Sequence, residues 1–361
     1  MEPYDFLLIE AKKRNFCDIG VCDAEDFEFL RPIFEKTASL LEGFVEKDIE
    51  KRIYPNITMP EAKSIIVVAR RYGKKINVVD DGVLRGYISL GAVEEDYHIH
   101  MMKDLDFLSA KLSENYGGKY KAFVDTGPLC ERELALRSGI GYKGKNHMIV
   151  TKNGGAEVFL GYIFTDLELP VAKYYKDMCD TNCNRCLKAC PTGAISEIDF
   201  SFEKCISFIT QKKGMLTTDE MKAIGKNIYG CDVCQKVCSK NIPSEEIIEK
   251  IDDIKPKLEE LLGLSNKDFS KKFKKTAIGW RGNKVIKRNA LCVLGNIGEQ
   301  GLELLSEYVV AQDDILRHTA IRSVININLP EGSILLKNLL EKEKNEKIRR
   351  EILWAIGHQE D

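Results

Sequence analysis

The chain has 361 residues, with 54 basic and 56 acidic side chains and a formal net charge of −2. Its 44% hydrophobic and 30% charged content are those of a soluble protein, and the length allows two or three domains with ample core. No apolar run approaches the roughly 20 residues of a membrane span, and Met1–Asp5 lacks the basic and apolar regions of an export signal, so a cytoplasmic chain with no membrane partner is expected.

Residues 1–172 mix strand-like runs, Ser64–Ala69 and Ala156–Gly161, with helical stretches such as Met101–Tyr116. That pattern predicts an α/β or α+β domain. Before the helix stands Asp96-Tyr97-His98; a lone His at a helix start serves structure more often than ligation. Phe123-Val-Asp-Thr-Gly-Pro-Leu129 puts Asp125 at the end of an apolar run, just before a Gly-Pro turn. A side chain there faces whatever lies above the sheet, and it serves either catalysis or turn capping. Gly139–Asn146 then supplies three glycines and two lysines, a loop suited to close backbone approach and to anionic groups.

Residues 173–245 carry eight of the chain's twelve cysteines. They read Cys179-x3-Cys183-x2-Cys186-x3-Cys190-Pro191, then Cys205 alone, then Cys231-x2-Cys234-x3-Cys238. Eight thiolates suit two [4Fe–4S] clusters, and in two-cluster ferredoxins the last Cys of a run crosses to the other cluster. The same wiring predicts one cluster on Cys179, Cys183, Cys186 and Cys238 and the other on Cys190, Cys205, Cys231 and Cys234. Structural zinc also uses paired cysteines, but has no reason to favour the Cys-Pro ending. A disulfide framework belongs to small exported domains instead. Cys17, Cys22, Cys130 and Cys292 fit neither run and are read as small buried hydrophobes.

Residues 246–361 are helical in pattern. Lys287–Ile297, Leu316–Ile327 and Arg349–Gly357 resemble one another, with Ala290, Ala320 and Ile352 in equivalent places about 30 residues apart. That period predicts HEAT-type helix pairs stacked into a short solenoid, with an ordinary helical bundle as the alternative. Residues 267–288 hold nine basic side chains and one acid, interleaved with Phe273 and Trp280. Such a stripe is either a solvated helix face or a contact for a polyanion.

Several of these segments resemble epoxyqueuosine reductases: Val124-Asp-Thr-Gly-Pro128, Glu131–Ala135, Gly141–Asn146, Phe159–Pro170, Ala189–Ile195, Cys205–Phe208, Tyr229–Gln235 and Arg288-Asn-Ala-Leu. The resemblance runs from about residue 4 to the C-terminus, with Tyr142, Lys143 and Ser239 standing where Trp, an aliphatic and Pro are usual. It implies an α+β chain of three parts: an α/β-type cobalamin-binding domain (1–172), a ferredoxin-like double-cluster domain (173–245) and HEAT-like repeats (246–361). It further implies reduction of epoxyqueuosine to queuosine in tRNA, with electrons passing through both clusters to cobalamin and a proton from Asp125. Arg52, Lys145, Asn146, Ile149 and Ser207 become candidate cobalamin contacts, as does Asp125. Lys212, Lys213, Lys284, Lys287 and Arg288 become candidate contacts to the tRNA anticodon stem-loop. A monomer served by a separate electron donor is expected. The alternatives are a cofactor-equivalent reductase of a small molecule and a non-catalytic electron carrier or RNA-binding protein.

Overall fold

Ser64–Arg71 is the strand that organises the N-terminal half. Its Ile65, Val67 and Ala69 enter one apolar cluster while Ile66 and Val68 enter another on the opposite face. Side chains alternate across a strand, so an unbroken apolar run is what a sheet covered on both sides requires. The structure, a computed structural model, describes residues 1–79, 81–171 and 178–357. Its main sheet has four strands in spatial order Asp18–Asp23, Ser64–Arg71, Val158–Thr165 and Tyr120–Phe123. All three pairings are antiparallel. The fold class is therefore α+β, and the α/β description expected for the N-terminal part is corrected. A strand buried on both faces reads the same whichever way its neighbours run.

One face of the sheet is covered by Pro3–Lys13 and Tyr97–Tyr116. Met101, Leu105, Leu108 and Leu112 recur at helical spacing and are at most 1% exposed, each contributing about 1.5–3 kcal/mol of burial. Asp96 starts this helix by accepting a hydrogen bond from the His98 amide at 3.1 Å, and Gly117, at φ 70°, ends it. The other face packs against Phe27, Leu30, Phe34 and Ile53, and against Leu134 and Ala135 of the helix Glu131–Arg137.

A further core runs from Ile206, Ile209 and Ile228 through Leu258 and Leu261 to Ile352, crossing the expected boundary at 245/246 without a break. The other expected boundary, 172/173, lies outside the described residues. The three similar segments fall on the helices Asn283–Ile297, Asp314–Ile327 and Glu346–Gly357. Ala290, Ala320 and Ile352 are each fully buried. The first two of these helices touch so closely that a Cβ on Gly295 would lie 2.7 Å from the Cβ of Ser323. Among the described residues no helix is long and apolar enough to cross a membrane.

Candidate active site

The strand Tyr120–Phe123 ends two residues before Asp125, whose backbone takes the left-handed conformation at φ 53°. That conformation is uncommon for a residue with a Cβ and marks local strain. The Asp125 amide donates to Glu131 Oε1, which holds the turn. Gly127 completes it, because a Cβ there would lie 2.1 Å from the Tyr162 hydroxyl. The Asp125 side chain is left 55% exposed, with Oδ2 3.4 Å from His98 Nε2.

His98 Nδ1 lies 2.7 Å from Asp96 Oδ1, so the imidazole bridges two carboxylates. Burial opposes its charge, but the ion-pair contact with Asp125 and the hydrogen bond to Asp96, with their charges, outweigh that and raise its pKa to about 9. His98 is thus an imidazolium at neutral pH. Glu131 behaves oppositely: burial, reinforced by the charge of Asp125, pushes its carboxyl up to about 8. Burial, reinforced by the charge of the neighbouring Asp125, holds the Tyr97 hydroxyl far above the usual phenol range. Its ring stacks on Phe159 at 4.0 Å.

Beyond Asp96 opens a cavity of about 550 Å³ lined by Phe269, Lys274, Trp280, Arg281, Asn283 and Lys284, among others. Arg281 lies over the rings of Trp280 (3.4 Å) and Phe44 (4.1 Å). Its Nε and Nη2 are buried without a hydrogen-bond partner among the described residues. Trp280 donates to the Tyr229 hydroxyl at 2.6 Å, and Tyr229 reaches Gln211, which contacts Ser207.

The thiols fall into two sets. Cys179 and Cys183 act electrostatically on Cys186 and on Cys238, each of which burial already raises. Cys190 and Cys205 act on Cys231, which burial raises to about 11. Cys234, raised to about 12 by burial, feels Cys231, Cys205, Cys190 and Cys186. Cys186 therefore lies between the sets. Deprotonated together, these thiols would repel one another, and bound iron would relieve that repulsion. The donor set thus fits two iron–sulfur clusters. Of the remaining thiols, Cys22 and Cys292 are buried, and Cys17 and Cys130 are half-buried.

The candidate cofactor contacts differ in what they do. Arg52 is 8% exposed and lies 3.6 Å over Phe34, with no hydrogen-bond partner for its guanidinium among the described residues. Burial lowers its pKa. A largely covered guanidinium whose nitrogens still reach the surface and have no acceptor among the described residues fits an amide- or phosphate-bearing ligand such as cobalamin. Lys145 instead serves the cysteine loops: Nζ donates to the carbonyls of Thr181 (2.8 Å) and Cys183 (2.9 Å), and its amide lies 3.4 Å from Cys179 Sγ. Asn146, 4% exposed, donates to the Cys234 carbonyl. The Ile149 side chain sits in the core, 3% exposed, on a short strand paired with Gly141–Lys143, so the side chain itself does not meet a ligand.

The candidate RNA contacts divide more sharply. Lys213 is exposed and has no ion-pair partner among the described residues. Lys284 is exposed but pairs with Asp313 at 2.6 Å, Lys212 pairs with Glu220, and burial lowers the pKa of Lys287. Arg288 is corrected outright. It is 1% exposed and donates to the carbonyls of Lys212 and Gly214, both at 2.7 Å, and to Asn289 Oδ1. Arg288 braces the 212–214 loop and does not reach a ligand.

Sequence reasoning left His98 open and passed over Glu131 and Arg281. For His98 the signal was its place two residues from the capping Asp96. For Glu131 it was the short step from Asp125, and for Arg281 the neighbouring Trp280.

Comparison with known proteins places this geometry. Residues 179–241 match the 4Fe-4S double cluster binding domain, and residues 52–126 match the family described as epoxyqueuosine reductase QueG. The chain is 36% identical to the epoxyqueuosine reductase of Bacillus subtilis, over 97% of this chain and 94% of the relative. It is also 36% identical to that of Bacillus cereus, over 92% and 91%. Among solved structures, an epoxyqueuosine reductase with an epoxyqueuosine-modified tRNA-Tyr stem loop superposes with a TM-score of 0.89 at 34% identity, covering 100% of both chains. A Bacillus subtilis structure whose catalytic aspartate loop is swung out of the active site superposes with a TM-score of 0.88 at 34% identity, covering 99% of both chains. Sequence, cysteine domain and fold agree along the whole length, and the chain belongs to the epoxyqueuosine reductase family.

Proposed function

We propose that the chain reduces epoxyqueuosine to queuosine in tRNA, with Asp125 delivering the proton to the departing epoxide oxygen. The reading is carried by one juxtaposition. Two sets of four thiols and a carboxylate paired with an imidazolium lie in one fold, with Tyr229 between them, two residues from Cys231 and within electrostatic range of Asp96 and Asp125. Converting the epoxide to an alkene consumes two electrons and two protons and releases water.

Cys179, Cys183, Cys186 and Cys238 would hold one [4Fe–4S] cluster and Cys190, Cys205, Cys231 and Cys234 the other, supplying electrons singly. Cobalamin, held by Arg52 and bordered by Ser207 and the backbone near Ile149, would supply a reduced cobalt centre able to attack a strained ring. Asp125, exposed on its strained turn, meets the substrate oxygen within hydrogen-bond reach. With Asp125 ionised beside it, the His98 imidazolium is the proton source: its proton passes to the Asp125 carboxyl and on to the departing oxygen, leaving neutral imidazole, while Asp96 fixes the ring from behind. Glu131 holds the turn through the Asp125 amide. Lys213, with Lys284 and Lys287, would contact phosphates of the stem-loop, and the C-terminal helices stack as a short HEAT-like solenoid beneath them.

Anaerobic, reconstituted enzyme should convert epoxyqueuosine-tRNA to queuosine-tRNA, and Asp125→Asn should lower turnover about 10²–10⁴-fold, the range for loss of a general acid. Full activity in Asp125→Asn would refute the assignment.

A further inference from the structure

Each turnover needs two electrons, and they must enter from outside the chain. A shallow groove of about 560 Å³ opens beside Cys238, lined by Arg185, Lys188, Ala189, Lys236, Val237 and Cys238. We propose that this groove is the docking face for an acidic, one-electron carrier protein. The proposal rests on Cys238 being a cluster ligand, as assigned above.

The cations are the first argument. Arg185 and Lys188 belong to the helix Arg185–Ala189, which carries the cluster cysteine Cys186 and is followed directly by Cys190. Both are exposed, and neither side chain has an ion-pair or hydrogen-bond partner among the described residues. The other local charges are balanced: Lys236 faces Asp232 at 3.7 Å and Lys240 faces Asp180 at 3.6 Å. The surplus positive charge at the groove is therefore that of Arg185 and Lys188. Unpaired cations on a rim do little for stability but steer an oppositely charged partner and speed encounter.

Position is the second argument. Cys238 itself lines the groove, so the cluster holding it is approached from solvent there. Asp125 and the cavity of Trp280 and Arg281 have none of their lining residues in common with it. A carrier bound at this face would leave the substrate's approach open. In each encounter the reduced carrier loses one electron and the cluster passes from the 2+ to the 1+ state, with no bond made or broken. Two encounters supply one epoxide reduction.

The test uses reconstituted full-length enzyme and photoreduced flavodoxin, an acidic single-electron carrier, with loss of cluster absorbance followed by stopped flow. For wild type the second-order rate should fall steeply as salt rises from about 50 to about 300 mM. Arg185→Glu/Lys188→Glu should slow it about tenfold or more at low salt, with iron content and reduction by dithionite unchanged. Lys12→Glu/Lys13→Glu, the same charge change on the first helix, should leave the rate as in wild type. Equal slowing by both double variants would overturn the proposal, because net charge rather than the groove would then be responsible. So would parallel slowing with dithionite, which would place the effect in the cluster. Loss of stem-loop affinity in the groove variant with an unchanged flavodoxin rate would assign the face to RNA. The readout is cluster reduction, so it stands apart from any failure of Asp125 as proton donor, and failure of the cluster assignment would show separately in the iron content.

Discussion

His98 is the most exposed point of the mechanistic reading. It bridges Asp96 at 2.7 Å and Asp125 at 3.4 Å. Its pKa of about 9 compares with 6.5 for an unperturbed imidazole. At about 1.4 kcal/mol for each tenfold change in protonation constant, the two carboxylates favour the imidazolium by about 3 kcal/mol. Because the folded pKa is the higher, this stabilisation is complete below pH 6.5 and is lost as pH rises through about 9. Burial lowers the pKa of His100, His147 and His318. Among the described residues His98 therefore stands alone on the high side. Nitrogen NMR of histidine-labelled protein should show one imidazole titrating above pH 8, absent in His98→Gln. Asp125→Asn should move that titration downward by about one pH unit or more, since one of two charged partners is removed. A spectrum in which every imidazole titrates at or below 6.5 would refute the bridge, and with it the role of His98 in recharging Asp125.

Four further outcomes follow from the same structure. Arg288→Met should destabilise the chain by about 3–5 kcal/mol in denaturant unfolding, because the buried Asn289 Oδ1 and the part-buried carbonyls of Lys212 and Gly214 lose their donor. Lys213→Ala should leave stability unchanged and reduce the salt slope of stem-loop binding by about one. Cys234→Ser should lower iron from about eight to about four per chain and spare the cluster on Cys179, Cys183, Cys186 and Cys238; unchanged iron would break the crossed wiring. Glu351 accepts hydrogen bonds from Arg322 and His318, which outweigh its burial and hold it down to about 2. Its contribution is present above the ordinary carboxyl pKa and lost as pH falls through about 2, so the acid unfolding midpoint should shift upward in Glu351→Gln.

Much of this protein is written in local pattern. The cysteine spacing specifies thiol chemistry because a cluster needs four ligands at short chain separations, whatever surrounds them. The apolar run Ser64–Arg71 specifies a strand, and the recurrence of Ala290, Ala320 and Ile352 specifies three buried helix faces, since both depend only on backbone period. Strand direction did not follow, because burial on both faces erases the alternation that would reveal it. Nor did the partners of Asp125. His98 lies 27 residues upstream on another element and Glu131 lies on the next helix, and only the packing of that helix against the sheet brings them together. Lys213 and Arg288 carry the same charge in similarly basic surroundings, yet one faces solvent and the other is sealed in the core. Charge is a property of the residue. Whether it meets a ligand or a buried carbonyl depends on which way its helix or loop is turned, and the tertiary structure alone decides that.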